Sequence, residues 1–146
     1  FQWWALSLVG ASPAGGDRKK GADSGVDGVI GFIEQGGKAK RAVVQVKSGH
    51  VGVTQVRDLK GTMEREKAEL GLFITLDAAT APMRTEAVSA GFYHSKLWKE
   101  DYPRLQICTI EDLLAGKLPK LPRHALGGFS KAERIKQEEG KQEAML

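Results

Sequence analysis

The stretch VDGVIGFIEQGGKAKRAVVQVKSG, residues 26–49, decides how the chain folds. VDGVIGFIE alternates loosely between apolar and small or polar residues, and RAVVQVKSG is rich in β-branched residues; both patterns suit strands. Between them, QGGKAK supplies two glycines and charge, the chemistry of a turn. The stretch therefore predicts a β-hairpin. In its second strand Gln45 and Lys47 are two residues apart, so the pleat projects both to one face. A core-forming strand should offer apolar residues there, and burying a lysine is costly. Asp27, at the start of the first strand, lies across the hairpin and can meet them. Either the three side chains form a polar site, or this face is wet and Asp27 serves the turn.

Working outward, Phe1, Trp4, Ala5 and Leu8 fall at the i, i+3, i+4, i+7 spacing of an apolar helical stripe over residues 1–10. Residues 11–25 read as a Gly-rich basic loop. After the hairpin, Val53, Val56, Leu59 and Met63 recur at helical spacing over residues 53–69. LFITL is a short apolar strand, and Thr80 with Pro82 starts a helix carrying Met83, Ala87 and Ala90. FYHSKLWKEDYP reads as a loop with aromatic anchors. Residues 105–110 form a further strand, and Thr109-x-x-Asp112 caps a short helix that Gly116 closes. The expected fold is α/β, a mixed central sheet flanked by helices in the order α-β-β-α-β-α-β-α. Residues 1–116 make one domain, and 117–146 a peripheral Pro-containing segment and polar tail.

Length and composition narrow the function classes. The chain has 146 residues, 41% hydrophobic and 27% charged, a mixture that supports one globular domain. A single cysteine, Cys108, allows no internal disulfide and, with three scattered histidines, no Cys-rich zinc cage. That points to a reducing, cytoplasmic setting, with Cys108 a small core residue. No window approaches the run of about 18 apolar residues that a membrane span needs. The apolar start without Met or basic flank suggests a piece of something longer. A net charge of +4 permits a polyanionic partner without demanding one. Glycine-based nucleotide motifs are not matched. Trp3, Trp4 and the Phe92-Tyr93 pair suit core or interface packing better than base stacking.

A carboxylate, an amide oxygen and an ammonium around one spot suit phosphodiester chemistry. Oxygen ligands hold Mg²⁺, which neutralises phosphate and acidifies an attacking water, and a lysine can orient that water or stabilise the pentavalent phosphate. GADSGVDG (21–28) with VVQVKSG (43–49) closely resembles the Mrr-type catalytic domain, a branch of the PD-(D/E)xK restriction-endonuclease superfamily whose last motif commonly reads QxK. The resemblance implies a restriction-endonuclease-like core. It makes Asp27 the metal-binding aspartate, Gln45 a metal ligand where many relatives are acidic, Lys47 the catalytic lysine, and the Val46 carbonyl a further ligand of Mg²⁺ or Mn²⁺. Gln55, Arg57 and Lys60 would flank the site. The family's usual first-helix Glu follows a Phe; here Phe1 is followed by Gln2.

FQWWALSLVGASP, KKGADSGVDGVI, VQVKSGHVGV, RDLKGTMEREKAELGLFITLDAATAPM and AGFYHS also resemble the C-terminal extension of bacterial site-specific DNA methyltransferases. The methylase's own motifs are missing, so methyl transfer would belong to an N-terminal part outside this sequence. The expected function is a Mg²⁺-dependent DNA endonuclease domain in a restriction or restriction-modification context. Lys19, Lys20, Arg57 and Lys60 are its candidate phosphate contacts on double-stranded DNA. Double-strand cleavage needs two active sites, which makes a homodimer an expectation. The rival reading is a non-catalytic DNA-binding or targeting module attached to a methyltransferase.

Overall fold

A computed structural model describes residues 1–14 and 25–122. The expected hairpin forms from β2 (Gly28–Glu34) and β3 (Lys38–Lys47). A turn over Gln35–Gly37 joins them, in which Gly36 and Gly37 take φ of +82° and +74°, values that L side chains avoid. This turn sets the register, with Gly28 opposite Val44 and Glu34 opposite Lys38. β3 then pairs in parallel with β4 (Leu70–Thr75), and β4 with β7 (Leu105–Thr109). A two-residue strand β1 (Ser12–Pro13), inside the segment expected to be loop, pairs with Val29 and Gly28 and completes a mixed sheet of order β1-β2-β3-β4-β7.

Helices cover both faces, as a sheet buried on two sides requires. α1 (Gln2–Leu8) and α4 (Ile110–Leu114) lie on one face with Val44, Val46, Leu72 and Ile74. α2 (Val53–Arg65) and α3 (Ala81–Val88) cover the other, where Val56, Leu59 and Met63 pack on Val43 and Phe73. Thr80 and Thr109 cap α3 and α4 by accepting from Met83 N and Asp112 N. Cys108 is buried, and burial, followed by the Asp112 charge, pushes its thiol up to about 11. It behaves as a core residue.

Three expectations are corrected. On α1 the buried stripe is Ala5, Leu6 and Val9, whereas Phe1, Trp4 and the 73%-exposed Trp3 face outward. The rotation follows from Gly28: a Cβ there would stand 2.5 Å from Leu6 Cδ2, so the bare backbone admits Leu6 to the sheet. The expected loop 92–103 is instead an antiparallel pair, β5 (Phe92–Ser95) and β6 (Glu100–Pro103), with Tyr102 fully buried. α2 stops at Arg65, short of residue 69, because Lys67 turns to a φ of +54°.

Residues 117–122 run beside β7. There the Gln106 side chain donates to Lys120 O and accepts from Lys120 N, each at 2.8 Å, and the Lys120 ammonium lies over the Tyr102 ring. The rest of the expected tail, 123–146, lies outside the described residues. No helix among those described is long and apolar enough to cross a membrane.

Candidate functional site

The site assembles where β1, β2 and β3 meet. Asp27 sits one residue before β2, its N–H donating to Val44 O at 2.8 Å and its carbonyl accepting from Ala14 N at 3.0 Å. Backbone on both sides thus fixes its place. Its carboxylate reaches over β3, where Oδ2 accepts from Val46 N at 2.8 Å. A charge-assisted bond of this kind holds a carboxylate firmly.

Gln45 and Lys47 share the α2 face of β3, as their spacing requires, since Val43 on the same parity packs against α2. Lys47 is exposed at the strand's end, whereas Gln45 is only 8% exposed. Its Oε1 is fully shielded and has no hydrogen-bond partner among the described residues. Such an orphan acceptor is uncommon, because burial without a partner costs free energy. The amide lies beside Gly25 and Thr62: a Cβ on Gly25 would come within 3.3 Å of Thr62 Oγ1 and 3.6 Å of Gln45 Nε2. With φ of +75°, Gly25 holds a backbone conformation that favours glycine, and a side chain there would crowd Thr62.

The structure therefore brings together Asp27, Gln45, Val46 and Lys47 at one end of the sheet. The flanking residues of α2 are engaged elsewhere. Gln55 Oε1 accepts from Gly52 N at 2.8 Å and caps the helix. Arg57 and Lys60 both turn to Glu86 on α3, at 3.1 and 2.7 Å, and Lys60 also donates to Ser89. The Lys60 hydrogen bond, against the opposing effect of burial and with help from Arg57, holds the Glu86 carboxyl below its usual range. Gln2 is exposed at the start of α1. Lys19 and Lys20 lie outside the described residues.

Thr62 and Glu86 escaped the sequence reading. Thr62 was within reach, as a hydroxyl one residue from Met63 on the apolar side of α2. Glu86 was not, since its partners are 26 and 29 residues away.

As a metal centre, this donor set is lean. Among the described residues, Asp27 is its one carboxylate, and there is no group of three or more His, Cys, Asp or Glu suited to a metal. The orphaned Gln45 Oε1 is the feature that fits a cation. Mg²⁺ accepts one carboxylate when waters and substrate phosphates complete its shell. Asp27, Gln45 and the Val46 carbonyl are the protein groups that would hold such an ion.

A family model described as NACHT-associated inactive Restriction Endonuclease 1 matches residues 14–115. The chain belongs to this family. The match covers the hairpin, the parallel strands and α2 to α4, so the mixed sheet flanked by helices is a restriction-endonuclease-like fold. Nuclease ancestry follows from the family, whose description carries the word inactive. No curated protein and no solved structure matches the chain significantly.

Proposed function

We propose that this domain binds duplex DNA without cutting it, as a targeting module of nuclease descent within a larger protein. One observation carries the reading: among the described residues the site has a single carboxylate, and one of its oxygens is already committed to the Val46 N–H. A hydrolytic metal site gains from anionic ligands that position the ion and the attacking water. Gln45 in place of an acid and Gln2 in place of the first-helix Glu leave Asp27 as the one charged ligand among the described residues. The exposed Lys47 ammonium keeps its value as a phosphate contact without any metal. The family's NACHT association and the resemblance to Mrr domains and methyltransferase extensions both suit a domain that brings a neighbouring activity to DNA.

The decisive experiment is binding to a fluorescent duplex in EDTA across a salt series, with cleavage of supercoiled DNA assayed in Mg²⁺ and Mn²⁺. The reading expects salt-dependent binding that EDTA leaves intact, weakened by Lys47→Ala, and no cleavage. Metal-dependent nicking abolished by both Asp27→Ala and Lys47→Ala would overturn it. That second outcome is the endonuclease reading, and the orphaned Gln45 Oε1 is the observation in its favour. In that case Asp27, Gln45 and the Val46 carbonyl would hold Mg²⁺ or Mn²⁺, which supplies charge neutralisation and a more acidic water. Lys47 would orient that water or steady the phosphate, and a homodimer would place two sites for a double-strand break.

A further inference from the structure

We infer a second nucleic-acid contact, distinct from the Asp27 site: a basic strip at the turn end of the hairpin, where Lys38, Lys67 and Lys96 meet the phosphate backbone. The inference rests on the duplex-binding reading above and names the surface that would supply most of its electrostatics.

Two depressions lie at this end and share Lys40. One is lined by Lys38, Lys40, His94 and Lys96 together with Glu34 and Glu69, the other by Lys40, Arg41 and Lys67 together with Glu66. The acidic residues do not neutralise the strip. Glu34 is buried and saturated by its own donors, while Glu69 pairs with Lys40 and Glu66 with Arg41. Among the described residues, Lys38, Lys67 and Lys96 have no ion pair, and all three are exposed. Their charge is available to a polyanion, in contrast to Arg57 and Lys60, which Glu86 occupies.

Lys67 adds a separate argument. It ends α2 at a φ of +54°, a place where glycine is the comfortable residue. A long cation kept at a strained position points to a use for its charge.

The test is the slope of log K against log salt for a short fluorescent duplex in EDTA. Replacing all three lysines, Lys38→Gln with Lys67→Gln and Lys96→Gln, should lower the slope by about 2 to 3 and weaken binding about tenfold or more at moderate salt. The matching arginine triple should bind like the parent. Lys67→Gly separates charge from folding, because it should raise the melting temperature while weakening binding. If the parent binds and the glutamine triple keeps its slope and affinity, the strip is overturned and the duplex-binding reading stands. If the parent binds no duplex even at low salt, both fall.

Discussion

At the scale of single residues, Asp27 is a strand clamp as well as a candidate ligand. Its Oδ2 is the acceptor for the Val46 N–H near the end of β3, a half-buried place where a lost partner is not fully replaced by water. Asp27→Ala should therefore destabilise the domain by about 1–3 kcal/mol. Asp27→Asn, which keeps an amide oxygen in reach, should cost clearly less. Thermal unfolding in EDTA checks this, and an Ala variant that melts with the parent would deny the clamp. The shared face of Gln45 and Lys47 was legible in the sequence, because the period of a strand fixes it from one segment alone. The Asp27–Val46 bond was not. It depends on register, and register comes from how many residues the Gly36-Gly37 turn consumes.

At the scale of elements, the β5–β6 hairpin shows what a short polar sequence conceals. Phe92 to Pro103 shows no alternation of apolar and polar residues to announce strands, and beside the buried Tyr102 its hold on the domain comes from Glu34 at the end of β2. The buried carboxylate accepts from Tyr93 Oη, Ser95 Oγ, Leu97 N and Gln35 N. Partners 59 to 63 residues away leave no local pattern to read. Burial would raise the Glu34 pKa, but the bonds from Tyr93, Leu97, Gln35 and Ser95 outweigh it and bring it from 4.5 down to about 2. Since the folded value lies below the unfolded one, ionised Glu34 stabilises the fold fully above about pH 4.5, and that contribution is lost as pH falls toward 2. Acid titration of the melting temperature should show this loss, with faster amide exchange across residues 92–103. Glu34→Gln should be less stable at neutral pH and flatter on the acid side. An unchanged acid limb in that variant would show that Glu34 does not couple the hairpin to the sheet.

At the scale of the whole molecule, the excess of cations matters less than which of them are spent. The resemblance set Arg57 and Lys60 on a helix flanking the site; the fold keeps them on α2, but there α3 brings Glu86 against both. The helices could be read from their spacing, while their mutual placement on the sheet could not, so the neutralisation stayed hidden. Glu86 thereby sets how much positive field α2 offers a polyanion, because a salt bridge removes much of the long-range attraction of its cations. Glu86→Gln keeps a side chain of the same shape between α2 and α3 and releases two charges. If α2 faces the duplex, this variant should bind several-fold more tightly at low salt, with a salt slope steeper by about 1 to 2 for the phosphates newly neutralised. The gain should vanish when Arg57→Gln and Lys60→Gln are added. A Glu86→Gln protein with the parent's affinity and slope would show that α2 faces away from DNA and that Arg57 and Lys60 serve only to join the two helices.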